Sequence, residues 1–163
     1  MSNVVEKNLY GLTYQAMLEL CEEIGEKPYR AMQIMKWVYH KGAESIDDMT
    51  DISKKTREKL KSRLVFDLPK VLLDQPSSDG THKWLIQLES GNAIEMVFIP
   101  EDDRGTLCVS SQVGCALECT FCSTARQGFN RNLSTAEIVG QVMLAKKLLG
   151  EYENDTQQSQ NRR

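Results

Sequence analysis

From Thr13 to Gly25 the apolar residues Met17, Leu20, Cys21 and Ile24 recur at helical spacing, with Thr13 placed to cap the start and Gly25 to stop the last turn. Pro28 then suits the first turn of a second helix, whose Ala31, Ile34, Met35 and Val38 form one stripe before Gly42. The two helices are expected to pack as a hairpin. A third helical stretch begins near Ser53. After Pro69 the period changes: apolar runs alternate with the turn-forming clusters PSSDG and ESGN, so KWLIQL and AIEMVFI read as the arms of a β-hairpin. TLCVSSQV predicts a strand from Thr106 to about Val113. In LSTAEI, Ser134 with Glu137 makes a capping box and Leu133 with Ile138 a hydrophobic staple. The helix that starts there is expected to bury Ile138, Val142, Ala145 and Leu149 and to end at Gly150.

These elements predict an α+β to α/β chain in three parts. Residues 1–64 form a small helical accessory domain, residues 65–104 a β-strand connector, and residues 105–163 a strand, long loop and helix. A strand followed by a helix normally needs parallel neighbours. The chain instead runs into the polar stretch EYENDTQQSQNRR, which reads as a linker, so the last part is expected to be the start of an incomplete domain.

Composition narrows the class. No window approaches the ~18 consecutive apolar residues of a membrane span, and the first residues lack the apolar core of a secretion signal; a cytoplasmic protein is expected. Three of the five cysteines fall within eight residues, unlike a secreted disulfide framework. The net charge of −3 excludes a uniformly basic nucleic-acid binder, so any RNA contact must be local. One stretch qualifies: Lys54, Lys55, Arg57, Lys59, Lys61 and Arg63 stand against the single acid Glu58. It is either a solvated helix face or a phosphate-binding patch.

Cys115, Cys119 and Cys122 form a CxxxCxxC loop. Thiolates are soft ligands for iron–sulfur clusters or zinc. A cubane has four irons and this loop supplies three sulfurs, which leaves one iron open to another ligand. The alternative is a closed zinc site completed by Cys108 or His82. The spacing favours iron and sulfur, since zinc pairs usually read C-x2-C followed at a distance by a second pair. Core packing is disfavoured by the polar neighbours Gly114, Glu118, Thr120 and Ser123.

The approach PEDDRGTLCVSSQVGC, the exit FCSTA and the continuation QGFNRNL resemble the RlmN-type radical S-adenosylmethionine (SAM) adenine-C2 RNA methyltransferase family, and MKWVYH and DDMTDISK resemble its helical accessory domain. The resemblance implies the first unit of a partial (β/α) barrel, with a [4Fe-4S] cluster on Cys115, Cys119 and Cys122 and SAM chelated at the open iron. It implies methylation of C2 of an adenine in 23S rRNA and tRNA through a methyl-cysteine that lies beyond residue 163, and an electron donor for the cluster. Cys108 matches the resolving cysteine, which forms a transient disulfide, and Glu95 the base that takes the adenine proton. Phe121 matches a position near the SAM adenine. A monomer without membrane contacts is expected, and this stretch alone is expected to be inactive.

Read without the resemblance, Cys108 is a buried strand cysteine, Glu95 an exposed strand carboxylate and Phe121 a packing ring. Arg126 and Arg131 face SAM, RNA phosphate or a structural partner. Trp37, Tyr29 and Tyr39 are core residues or base-stacking platforms, and His40 and His82 have no partner spacing. The competing readings are a non-enzymatic RNA-binding module with a metal-stapled loop and a relative that methylates C8.

Overall fold

The computed structural model describes residues 6–117, 119–120, 126 and 128–152, which fall into two compact units. The first comprises residues 1–67 with 145–163, and the second residues 68–144.

In the first unit, helix α1 (Tyr14–Glu23) starts where the Thr13 hydroxyl accepts from the Ala16 N–H. That bond satisfies one of the four donors a helix start leaves open. Gly25, at φ +70°, ends the turn in a left-handed conformation that a side chain would resist. Helix α2 (Tyr29–Tyr39) packs on α1, as the periodicity predicts. Helix α3 (Lys54–Lys61) is capped by Ser53, and its Thr56 hydroxyl is buried against Glu26 Oε1 at 3.1 Å. Leu9, Met17, Leu20, Ile34, Met49, Ile52 and Leu60 form the core. A short parallel pair joins β1 (Lys7–Asn8) to β2 (Leu64–Val65) across the helices between them.

The second unit is built on an antiparallel sheet in the order β3 (Lys70–Pro76), β4 (His82–Gln87), β5 (Ala93–Pro100) and β6 (Gly105–Cys108). The predicted hairpin is β4 and β5. Trp84, Ile86, Ile94 and Met96 are buried on one face, because alternate residues of a strand point to opposite faces. β3 is an edge strand exposed along its whole length, Val71, Leu72 and Leu73 included. Beyond β6 the chain forms β7 (Gln112–Gly114), paired with β8 (Phe129–Asn132), and then helix α4 (Thr135–Leu148).

Two sequence expectations are corrected here. The single strand expected from Thr106 to Val113 is two strands in different sheets, interrupted at residues 109–111. The first of them is an antiparallel partner of β5, so it has no parallel neighbour among the described residues. On α4 the buried face carries Gly140, Gln141, Met143, Leu144 and Ala145, while Val142 is exposed. The expected stripe holds at Ala145 and fails at Val142, because Gln141, a polar residue, occupies the centre of the buried face.

Ile86 has no exposed surface. Ile86→Ala is expected to cost about 2–5 kcal/mol through lost burial and a residual cavity. Leu72→Ala on the exposed edge strand should stay within about 0.5 kcal/mol. Urea denaturation checks both, and equal losses would contradict this placement of the core.

Candidate functional site

The site lies in the second unit and follows from strand register. Val97 pairs with Cys108, and Leu85 pairs with Glu95. Directly opposed residues share a face, and residues two apart on one strand do so as well. Leu85, Glu95, Val97 and Cys108 therefore stand on the open face, opposite buried Trp84, Ile94 and Met96. All four line one cleft of about 310 Å³, whose wall continues through Val109 and Ser110 to Gln112 and Gly114. Gly114 immediately precedes Cys115. The structure thus brings Glu95 and Cys108 together and sets them beside the strand that leads into the cysteine loop.

Glu95 is exposed and ion-paired with Lys83 at 3.1 Å. Cys108 is an exposed free thiol, not the buried strand residue that side-chain type alone suggests. Ser110 links the two strands: its hydroxyl donates to the Glu95 carbonyl at 2.8 Å.

The cysteine loop is closed at its base. β7 and β8 pair across it, and the Cys115 N–H donates to the Gly128 carbonyl at 3.3 Å. Gly114, at φ +74°, lies so near Gly128 that a Cβ there would stand 1.7 Å from its carbonyl oxygen. Only glycine permits this approach. Gln112 steadies the turn by donating to Asn132 Oδ1 at 2.9 Å and accepting from the Ala116 N–H at 3.3 Å. Cys115 and Cys119 are free and half-buried. Cys122 and Phe121 lie outside the described residues. Among the described residues no three His, Cys, Asp or Glu side chains are grouped to hold a metal ion. Two free, partly accessible thiols on a loop pinned at both ends suit a thiolate-held cluster, which needs soft donors converging from one short segment. His82, the candidate for closing a zinc site, is hydrogen-bonded to Asp74 at 3.0 Å and stacked on Trp84.

Arg131 has a structural partner. Its guanidinium holds Glu137 with bonds of 2.8 and 2.6 Å and reaches the Ser90 hydroxyl at 2.9 Å. Glu137 also completes the capping box by accepting from the Ser134 N–H at 2.8 Å. One side chain on β8 thereby ties the exit of the cysteine loop to the start of α4 and to the turn between β4 and β5. The sequence marks Glu137 as a capping residue and offers no sign of this second use. Arg126 is exposed.

In the first unit most of the basic stretch is committed internally. Lys59 donates to the Ile24 carbonyl at 2.7 Å and pairs with Glu26 at 3.2 Å, Lys61 pairs with Asp47 at 2.8 Å, and Arg63 pairs with Glu23. Arg57 donates to the Asp47 carbonyl at 2.8 Å. Lys54 and Lys55 are exposed and form no ion pair among the described residues. Trp37 is fixed by a bond to Asp51 at 2.6 Å with Lys41 over its ring, Tyr39 is half-buried, and Tyr29 is exposed.

The Arg131 guanidinium holds the Glu137 carboxyl below the usual carboxylate range, against the opposing effect of burial. A depressed acid stabilises the fold above its unfolded value of about 4.3 and loses that contribution as pH falls through the folded value. Glu137→Gln keeps a capping side chain but removes the charge. It should be less stable than the parent chain at pH 7, with the difference shrinking below about pH 4.3. Urea denaturation between neutral and acid pH tests this, and a pH-independent difference would refute it.

Residues 7–66 match RlmN_N, the ribosomal RNA large subunit methyltransferase N-terminal domain. Over 138 residues the chain is 58% identical to the dual-specificity RNA methyltransferase RlmN of Alkalilimnicola ehrlichii, covering 85% of this chain and 38% of that protein. The crystal structure of a radical SAM methyltransferase from Sphaerobacter thermophilus superposes with a TM-score of 0.80 at 39% identity, covering 88% of this chain and 42% of that one. The chain spans about two fifths of the length of these relatives. With residues 7–66 matched on their own, and identity carried through most of the chain, the chain is similar to about two fifths of an RlmN-type radical SAM methyltransferase.

Proposed function

We propose that this chain supplies the accessory domain and the cluster-bearing first unit of a radical SAM partial (β/α) barrel, in an enzyme that methylates C2 of adenine in 23S rRNA and tRNA. The single observation that carries the reading is the shared cleft of Glu95 and Cys108 on the open face of the sheet, beside the strand into Cys115. The family's cofactors are a [4Fe-4S] cluster and SAM. Cys115, Cys119 and Cys122 would hold the cluster, with Phe121 near the SAM adenine. When bound, the pair supplies one-electron chemistry and the methyl group.

The chain's own residues serve the closing step. A covalent link between RNA and a second, methyl-carrying cysteine must be broken once the new carbon–carbon bond exists. Glu95 takes the proton from the adenine C2 carbon. The Cys108 thiolate attacks the second cysteine's sulfur, the carbon–sulfur electron pair passes to the methylene carbon, and a proton returned by Glu95 completes the methyl group. One disulfide forms, and a later two-electron reduction restores both thiols. Both groups are exposed, as partners of a macromolecular substrate must be. A base must also come within hydrogen-bond reach of the proton it removes. Lys83 holds Glu95 in place at the cleft until the substrate arrives. An electron donor and a cytoplasmic, monomeric enzyme complete this reading; no helix among the described residues is long and apolar enough to cross a membrane.

Anaerobic reconstitution of the chain should yield about four irons and four sulfides per chain, and Cys115→Ala should abolish this. One zinc per chain without iron would reject the cluster. The chain alone should leave RNA unmethylated, since the family's methyl-carrying cysteine has no match within it. Methylated adenine in RNA incubated with this chain and SAM would sink that part.

Lys54 and Lys55, exposed and without an ion pair among the described residues, are proposed to meet RNA phosphate. Exchanging both for Gln should flatten the dependence of log affinity on log salt by about two. The same exchange at Lys59 and Lys61 should chiefly cost stability. Filter binding across a salt series measures the slope, and an unchanged slope would remove these lysines from the interface.

A further inference from the structure

The strand leading to the cysteine loop leaves the sheet where its register would have continued. The pair Val97 and Cys108, extended by two residues on each strand, sets Ser110 opposite Glu95. In an antiparallel ladder, pairs that exchange backbone hydrogen bonds alternate with pairs that do not. The Glu101 N–H donates to the Arg104 carbonyl across the β5–β6 turn, and the Leu88 N–H to the Asn92 carbonyl across the β4–β5 turn. Odd-numbered residues of β5 therefore direct their backbone groups toward β6, and even-numbered ones toward β4. Glu95 and Ser110 would be a bonded pair.

Both backbone groups of Ser110 are instead taken by one side chain from α4. The Ser110 N–H donates to Gln141 Oε1 at 2.9 Å, and Gln141 Nε2 donates to the Ser110 carbonyl at 2.8 Å. The second Nε2 hydrogen goes to the Glu137 carbonyl at 3.2 Å. Gln141 has no exposed surface. A buried carboxamide that served only to fill space would be disfavoured against an apolar residue, because burying it costs free energy unless its bonds are made. Here they are made, and two of them copy the pair of bonds that β5 would have formed. The Glu95 carbonyl is left to the Ser110 hydroxyl.

We infer that Gln141 is a positioning residue: its carboxamide replaces β5 as the backbone partner of Ser110, draws residues 109–111 off the sheet, and so opens the cleft in which Glu95 and Cys108 stand. The helix that follows the cysteine loop thereby shapes the strand that precedes it. The importance of the cleft rests on the proposed roles of Glu95 and Cys108, whereas the clamp itself is read from hydrogen bonds alone.

Residue-resolved amide hydrogen exchange on the unaltered chain is the first test. The Ser110 amide should be protected, and the Glu95 amide should exchange at least tenfold faster than that of Met96, which faces β4. Equal protection of Glu95 and Met96 would overturn the inference without any variant. Gln141→Met keeps side-chain length and removes the carboxamide, so the strand should re-pair with β5. A tenfold or greater gain in Glu95 protection is expected, with slower alkylation of Cys108 by iodoacetamide. Gln141→Asn, which withdraws the amide by one methylene, should do the same if the Met variant does not fold. Unchanged Glu95 protection in a folded variant would refute the clamp, since a residue that merely filled the core would alter stability without transferring protection to Glu95. Iron content reports separately: a chain that takes up no cluster yet shows this exchange pattern would refute the proposed function and leave the clamp standing.

Discussion

The register of β5 against β6, and the point at which it stops, is the constraint on which the candidate site depends. While the ladder lasts, it places Cys108 and Glu95 on one open face, because strand geometry lets side chains alternate but not choose their side. Where it ends, the chain gains the freedom to turn toward the cysteine loop. Backbone polar groups at such an exit need new partners, since buried unpaired groups cost about 1–3 kcal/mol each. Gln141 and the Ser110 hydroxyl supply them. The cleft exists because the chain leaves the sheet with its hydrogen bonds satisfied by a helix rather than by the neighbouring strand.

Around that exit the unit relies on polar side chains that span elements. Arg131 joins β8, the start of α4 and the β4–β5 turn, while Gln112 links β7 to β8 and to the first turn of the loop. Each is multiply bonded and at least half-buried, so its geometry is fixed more firmly than that of an exposed ion pair. A loop that must hold thiols convergently gains from such anchoring at its ends.

The first unit divides its charges differently. Four of six cations in and after α3 hold neighbouring carbonyls or carboxylates, which accounts for a basic stretch in a chain of net charge −3. Lys54 and Lys55, at the positive end of the α3 dipole, form no such contact among the described residues. Cations at that position give up a little stability, and Lys54 recovers part of it from the field of the Asp47 carboxylate.

The sequence by itself determined the helices of the first unit, the β4–β5 hairpin, the capped start of α4 and the thiol-rich loop, because caps, turns and periodicity act over a few residues. The family likeness rested on local motifs in the same way. The interruption at residues 109–111, the buried face of α4 and the second use of Glu137 were decided only by tertiary structure. In each case a polar side chain bonds another element, and periodicity counts such a residue as surface. The meeting of Glu95 with Cys108 was equally hidden: alternation assigns each residue a face of its own strand, but only the pairing of two strands decides whether those faces coincide.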